Sequence, residues 1–122
     1  MKKKILVIDD SPFIKKQISD ILKGMDYEVI GPAKSGEEGL EMYKELRPDI
    51  VTLDIIMPGI DGMETASNLL DINPNIKIIM ISSIYDLNIS EEIKKIGVKF
   101  ILPKPIKASL FIATLNAINE ND

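Results

Sequence analysis

Polar side chains stand at the ends of four short apolar runs in this chain, and their types are those that phosphoryl chemistry needs. The runs end at two adjacent carboxylates, a third carboxylate, a hydroxyl and a lysine, namely Asp9, Asp10, Asp54, Ser82 and Lys104. Carboxylate oxygens suit Mg²⁺ or Mn²⁺, and a lysine ammonium can contact a phosphate oxygen as a point charge. A carboxylate nucleophile with a metal, a lysine and a hydroxyl indicates phosphoryl transfer onto an aspartate.

The composition excludes several other classes of chemistry. The 122 residues contain no His and no Cys, so the chain has no imidazole base, no thiolate nucleophile and none of the usual zinc ligands. The net charge of −4 disfavours a nucleic-acid partner, which a basic surface would bind. No run approaches the ~20 apolar residues of a membrane span. We therefore expect a cytoplasmic protein that by itself binds neither nucleic acid nor membrane.

Apolar runs alternate with amphipathic stretches along the whole chain, which predicts alternating strands and helices. The strands are expected at residues 5–8, 27–30, 50–53, 76–81 and 100–102, each followed by a helix. Because these runs show no polar alternation, they are typical of strands buried on both faces of a parallel sheet. The sequence therefore predicts one α/β domain over residues 1–122, with a five-stranded parallel sheet between two layers of helices.

Cap and turn residues set the expected boundaries of the helices and strands. Ser11 before Pro12 predicts the start of the first helix, and Ser35 opens the capping-box pattern of the second. Gly31–Pro32 is expected to close the second strand, because proline cannot donate to a strand ladder. The fourth helix is expected at residues 90–96.

The carboxyl ends of parallel strands meet at one edge of a sheet, so the polar residues at these ends are expected to share a site. Two carboxylates about 4 Å apart repel by about 4 kcal/mol at an effective dielectric of about 20. A fold tolerates this repulsion if a cation lies among the carboxylates or if one of them is protonated. A single strand-end aspartate is more often a helix cap or a loop residue than a ligand. Because five such residues recur at matching ends of one small domain, we favour a shared site.

Four motifs carry a resemblance to a known family. They are residues 5–11 (ILVIDDS), residues 49–62 (DIVTLDIIMPGIDG), residues 81–83 (ISS) and the pair Lys104–Pro105. The sequence resembles the receiver domain of two-component response regulators over essentially its whole length. That length makes it similar to a stand-alone, CheY-like receiver. The resemblance implies a flavodoxin-like three-layer (βα)5 fold with the strand order 2-1-3-4-5.

The resemblance also implies a role for each residue of the site. Asp54 would be the phosphoacceptor, Ser82 and Lys104 would contact the phosphoryl oxygens, and the Lys104–Pro105 peptide would be cis. The metal ligands would be Asp10 and Asp54 directly, Asp9 mostly through water, and the backbone carbonyl of Ile56. Such a receiver is not a turnover enzyme, because it promotes its own phosphorylation and then slowly loses the phosphoryl group.

The partners that the resemblance implies are a histidine kinase or a phosphotransfer protein as donor and a downstream protein as target. The target would bind the face formed by the fourth helix, the fifth strand and the fifth helix. A chemotaxis-type role is the leading expectation, and a receiver cut from a longer regulator with an effector domain is the alternative. Because the chain has no His, the phosphohistidine must belong to another molecule.

Two departures from the family pattern change what is expected. The switch position in the fifth strand is usually Tyr or Phe, but here it is Ile101, and the aromatic is its neighbour Phe100. Because side chains alternate along a strand, Phe100 should face the opposite way unless a bulge shifts it. The positions two residues after Asp54 and two after Ser82 hold Ile56 and Ile84. Apolar side chains there should hinder the hydrolytic water, so slow dephosphorylation is expected, and polar replacements should speed it.

Three other functions remain open from the sequence. A haloacid-dehalogenase-like phosphatase also uses a nucleophilic aspartate, but it needs a second one two residues later, where this chain has Ile56. A flavodoxin-like electron carrier would share the fold, but Asp9–Asp10 would repel the phosphate of its cofactor. A receiver-like interaction module without phosphorylation is the third alternative, and its acidic site would normally be degraded.

Overall fold

The computed structural model describes residues 2–57, 59–83 and 87–120. Within these ranges the strands and helices are β1 (Lys3–Ile8), α1 (Pro12–Ile21), β2 (Tyr27–Ala33), α2 (Gly36–Leu46), β3 (Ile50–Asp54), α3 (Gly62–Ile72), β4 (Lys77–Ser82), α4 (Leu87–Ile96), β5 (Phe100–Pro103) and α5 (Ala108–Glu120). The strands form one parallel sheet in the order β2-β1-β3-β4-β5. The α/β fold and the strand order are confirmed. No helix in the described ranges is long and apolar enough to cross a membrane.

The sheet is covered on both faces, which explains why its strands lack polar alternation. Ile5 and Val7 of β1 pack into one apolar cluster with residues of α1 and α5, including Phe111. Leu6 and Ile8 of the same strand pack into a second cluster with residues of α2, α3 and α4. Because successive side chains of a strand point to opposite faces, a strand between two helical layers needs apolar residues at every position.

The helix caps form as the sequence indicates. Ser11 Oγ accepts the N–H of Phe13 at 3.3 Å, and Ser35 Oγ accepts the N–H of Glu38 at 3.1 Å. Each serine satisfies a backbone donor that the first turn of its helix leaves unpaired. These caps fix where α1 and α2 begin, directly after the carboxyl ends of β1 and β2.

The second strand is longer than the sequence predicts, because β2 continues through Gly31–Pro32 to Ala33. The prediction that these residues close the strand is wrong. β2 is an edge strand of the described sheet, and its register with β1 passes from Ile30 to Ala33 without pairing Pro32, so the missing N–H of Pro32 interrupts no ladder bond. The Gly31–Pro32 peptide is cis, and the register with β1 shifts between Leu6 and Ile8.

The fourth helix begins at Leu87, earlier than the predicted start at residue 90. Asp86, a residue type common directly before a helix, precedes Leu87 in the sequence and is a signal for this earlier start. Arg47, the C-cap of α2, adopts the left-handed conformation with φ 44°. This conformation usually falls to glycine or asparagine, so the sequence gives no sign of it.

Candidate functional site

The pairing of β1 with β3 brings two of the predicted carboxylates together. Ile8 lies opposite Leu53 in the register, so the residues that follow them, Asp9 and Asp54, leave neighbouring strands at the same level. One carboxylate oxygen from each of Asp9, Asp10 and Asp54 lies within 4.8 Å of the other two. Asp9 and Asp54 are buried, whereas Asp10 is exposed. The acidic group therefore has a buried floor and one side open to water.

Lys104 reaches this group from the end of β5. Pro103 pairs with Ser82 in the register of β4 and β5, and the N–H of Lys104 donates to the carbonyl of Ser82 at 2.9 Å. The Lys104–Pro105 peptide is cis. The ammonium nitrogen Nζ of Lys104 lies 3.1 Å from Asp9 Oδ2 and 3.4 Å from Asp54 Oδ2. One lysine thus bridges the two buried carboxylates, a double contact that the sequence did not predict.

The second oxygen of each buried carboxylate is held by the backbone of its own loop. Asp9 Oδ1 accepts the N–H of Ser11 at 2.9 Å, and Asp54 Oδ1 accepts the N–H of Ile56 at 3.4 Å. Each carboxylate therefore has one oxygen fixed by its loop and one oxygen facing Lys104. This arrangement fixes the rotation of both carboxylate groups.

Burial and the charge of Asp9 raise the pKa of Asp54, whereas Lys104 lowers it. Burial is the largest influence and raises the pKa of Asp54 above its ordinary value of 3.8; the nearby charge of Asp9 raises it further. Lys104 and the hydrogen bond from Ile56 lower the pKa of Asp54, but they do not cancel the increase. For Lys104, burial alone would lower the pKa, but the bond to Asp9 and the charges of Asp9 and Asp54 outweigh it and raise the pKa. Lys104 therefore stays protonated.

The charge of this group fits a divalent cation. Asp9, Asp10 and Asp54 carry three negative charges against the one positive charge of Lys104, which leaves two negative charges without a partner in the group. The donors are all hard carboxylate oxygens, and the exposed Asp10 leaves room for the water that Mg²⁺ retains. The negative charge of Asp9 also contributes to the raised pKa of Asp54, after the larger effect of burial. These residues fit Mg²⁺.

The register of β4 and β5 determines where Ser82 and the two candidate switch residues, Phe100 and Ile101, lie. Ser82 ends β4 and is buried, with 2% of its surface exposed. Phe100 packs against the cluster on the α1 and α5 side, whereas Ile101 packs against the cluster on the α2, α3 and α4 side. The register of β4 and β5 is continuous, with no bulge. Phe100 therefore does not take the place of the aromatic that the family usually has at Ile101.

Of the two isoleucines expected to hinder water, only Ile56 lies within the described residues. Ile56 follows β3, and its side chain is 55% exposed beside the acidic group. Ile84 lies outside the described residues. The N–H of Ile56 donates to Asp54, which holds the backbone of Ile56 next to the site. The carbonyl of Ile56 is part of the loop that follows β3.

Asp54→Asn is expected to raise the free energy of unfolding at pH 7 in metal-free buffer, because it removes a carboxylate whose charge is disfavoured in the fold. Since the pKa of Asp54 is raised in the folded state, that state binds more protons than the unfolded chain between 3.8 and the folded pKa. The stability of the wild type therefore falls as pH rises through this window. The advantage of the variant should shrink as pH decreases through it.

Urea denaturation from pH 7 down to about 4 measures this difference. Asp71→Asn, at an exposed position of α3, is the control and should show no comparable change with pH. An advantage of Asp54→Asn that is the same at both ends of the range would contradict the charge argument.

Comparison with known proteins identifies the family. The family described as the response regulator receiver domain matches residues 5–116. The chain belongs to this family. The chemotaxis protein CheY of Thermotoga maritima is 38% identical over 120 residues, covering 98% of this chain and 100% of the relative.

Longer relatives and solved structures agree with this membership. This receiver matches 30% of a protein-glutamate methylesterase/protein-glutamine glutaminase 1 from Syntrophomonas wolfei, at 36% identity over 85% of the chain. It also superposes on a chain of the CheX–CheY–BeF3–Mg²⁺ complex from Borrelia burgdorferi with a TM-score of 0.90. The identity to that chain is 31%, and the match covers 96% of this receiver and 89% of that chain. Receiver domains of this kind therefore occur both as CheY proteins and as parts of longer proteins.

Proposed function

We propose that this receiver is a cytoplasmic signalling switch that accepts a phosphoryl group on Asp54 and thereby changes its binding to a protein partner. The observation that carries the proposal is the position of Asp54 in the sheet. Its carboxylate lies at the carboxyl edge near Asp9, with one oxygen 3.4 Å from the ammonium of Lys104, which also contacts Asp9. A carboxylate needs no general base to become a nucleophile at pH 7, so the absence of His is compatible with this role.

The proposed transfer forms one bond and breaks one bond at phosphorus. An oxygen of Asp54 attacks the phosphoryl group of a phosphohistidine in line, the O–P bond forms, and the N–P bond breaks. The electron pair of the broken bond stays on the imidazole, which leaves as the neutral ring when its other nitrogen carries a proton, and otherwise as imidazolate, which then takes a proton from water. When bound, Mg²⁺ neutralises charge on the phosphoryl oxygens. Lys104 contributes a second positive charge, and Ser82 is the hydroxyl at the adjacent strand end.

Phosphorylation of Asp54 would change the contacts of Lys104. In the present state the ammonium of Lys104 is shared between Asp9 and Asp54. A phosphoryl group on Asp54 adds negative charge beyond that carboxylate and draws Lys104 and Ser82 toward it. Because Lys104 directly follows β5, we propose that the change is read at the face formed by α4, β5 and α5. Ile101, at the usual switch position, lies on the cluster that includes α4 residues.

The proposed donor is a histidine kinase or a phosphotransfer protein, and the proposed target is a downstream signalling protein. The similarity to CheY of Thermotoga maritima over its full length supports a chemotaxis-type role. The match to part of a methylesterase favours the alternative that this receiver controls an effector domain in a longer protein. In either case the receiver is phosphorylated once per signal and is not a turnover enzyme. A haloacid-dehalogenase-like phosphatase is disfavoured, because the position of its second aspartate holds the exposed, apolar Ile56.

Beryllofluoride, a stand-in for the phosphoryl group, tests the proposal. The wild-type protein with Mg²⁺ and beryllofluoride is expected to form a 1:1 adduct that raises its melting temperature and gives a bound ¹⁹F signal. Asp54→Asn should form none, because its neutral amide has no carboxylate oxygen to bind beryllium. The control Asp71→Asn should behave like the wild type. An adduct that persists in Asp54→Asn, or no adduct in the wild type, would contradict the proposal.

A further inference from the structure

The loop between β3 and α3, described at residues 55–57 and 59–61, is held by two hydrogen bonds. At its base, the N–H of Gly62 donates to the carbonyl of Ile55 at 2.8 Å. At its far end, the N–H of Ile60 donates to Glu37 Oε1 at 3.2 Å. Glu37 lies in the first turn of α2, so this second tie joins the loop to a different helix. The loop leaves the site directly after Asp54, and its second residue is Ile56.

Gly59 lies directly against the carboxylate of Glu37. An ideal Cβ on Gly59 would lie 2.5 Å and 2.6 Å from the two carboxylate oxygens of Glu37. The φ of Gly59 is +78°, a left-handed conformation that side chains other than glycine rarely adopt. On the helix side, a Cβ on Gly36 would lie 2.5 Å from Ile60 Cγ1. The first turn of α2 therefore packs directly on the far end of this loop.

The first three residues of the loop, 55–57, are held by two buried side chains. Ile55 and Met57 are each only 8% exposed, whereas Ile56 between them is 55% exposed. The backbone of Ile56 is thus fixed between two buried neighbours, and its N–H donates to Asp54. With both ends of the loop also tied, the carbonyl of Ile56 has little freedom left to lose when it binds a ligand.

We propose that Glu37 is a positioning residue for the metal site. By accepting the N–H of Ile60, it fixes the loop that carries the carbonyl of Ile56, and so raises the affinity of the site for Mg²⁺. The inference rests on the proposed function, in which Ile56 supplies a backbone carbonyl to the metal. Groups that orient a metal ligand are worth about 10- to 100-fold in metal affinity. Since Glu37 is exposed, we expect an effect of about 10-fold, at the lower end of this range.

Three variants at α2 separate the hydrogen bond from the charge. Glu37→Ala removes both, Glu37→Gln keeps the accepting oxygen, and Glu38→Ala removes an equal charge from the same turn. Mg²⁺ binding is measured on the full chain by NMR titration of backbone amides, without any phosphoryl donor. We expect about 10-fold weaker binding for Glu37→Ala, with Glu37→Gln and Glu38→Ala close to the wild type. If Glu37→Gln binds as weakly as Glu37→Ala, or if Glu37→Ala binds like Glu38→Ala, the inference is overturned.

A double-mutant cycle with Gly59→Ala gives an independent test. Gly59→Ala should weaken Mg²⁺ binding in the wild-type background, because its Cβ displaces the carboxylate of Glu37. In the Glu37→Ala background it should weaken binding by a smaller factor, because that contact is already gone. Equal factors in the two backgrounds would overturn the inference. If the wild-type protein binds no Mg²⁺ at all, the proposed function itself fails, and this result is distinct from each of the others.

Discussion

Lys104→Met is expected to lower the free energy of unfolding by about 2–3 kcal/mol at pH 7 in metal-free buffer. Removing one member of a buried ion pair costs about 3–5 kcal/mol, and the value here is smaller because the Lys104 side chain is 22% exposed. The variant leaves Asp9 and Asp54 facing each other without the ammonium that lies 3.1 Å and 3.4 Å from them. Urea denaturation with and without Mg²⁺ measures the loss.

The dependence of this stability loss on Mg²⁺ and on pH distinguishes it from a loss of packing contacts. The deficit should shrink when Mg²⁺ is added, since the carboxylates then have a cation again. It should also shrink as pH falls through the pKa of Asp54, because protonation removes the repulsion that Lys104 relieves. Lys107→Met, at an exposed position nearby, is the matched control and should change stability little. A deficit no larger than that of the control would mean that Lys104 does not hold the two acids together.

Gly62→Ala is expected to destabilise the protein by about 2–3 kcal/mol, as overpacking of a tight site does. An added Cβ would overlap the carbonyl oxygen of Asp54 and would lie 2.6 Å from the Cα of Ile55. These are backbone atoms, which cannot rotate away as the end of a side chain can. Because Gly62 is the first residue of α3, helix propensity alone predicts the opposite, a stabilisation of up to about 1 kcal/mol.

The sign of the Gly62→Ala effect, read from urea denaturation, therefore decides between these expectations. Ser67→Ala, at an exposed position in the same helix, is the control and should be neutral or slightly stabilising. Gly62→Ala should also weaken beryllofluoride binding, because it displaces the backbone of the proposed acceptor. A stabilised variant with normal binding would show that the loop can move away from α3 without cost to the site.

The strand ends could be predicted from the sequence because two strong signals coincide there. Buried parallel strands read as unbroken apolar runs, and a polar residue that ends such a run marks the carboxyl edge of the sheet. This logic placed Asp9, Asp10 and Asp54 at one edge of the sheet, and their convergence followed once the strand order made β1 and β3 neighbours; the structure brings them within 4.8 Å of one another. Periodicity alone does not give the strand order; the order followed from the resemblance to receiver domains.

Contacts between distant parts of the chain could not be predicted in the same way. A role of Lys104 toward a phosphoryl group could be predicted, but its bridge between Asp9 and Asp54 depends on how β5 ends beside Ser82. No local pattern in the sequence indicates the bond between Glu37 and Ile60, which joins the first turn of α2 to the loop before α3. The passage of β2 through Pro32 depends on β2 being an edge strand. Each of these features depends on tertiary neighbours, which local sequence patterns do not encode.

Phosphorylation by acetyl phosphate tests the central claim most directly. The wild-type protein is incubated with acetyl phosphate and Mg²⁺, its intact mass is measured, and the modified residue is located by borohydride reduction and peptide mass spectrometry. We predict that one phosphoryl group is added on Asp54, that Asp71→Asn is modified equally, and that Asp54→Asn and a metal-free sample are not modified. A phosphoryl group on another residue of the wild type, or one that persists in Asp54→Asn, would contradict the account.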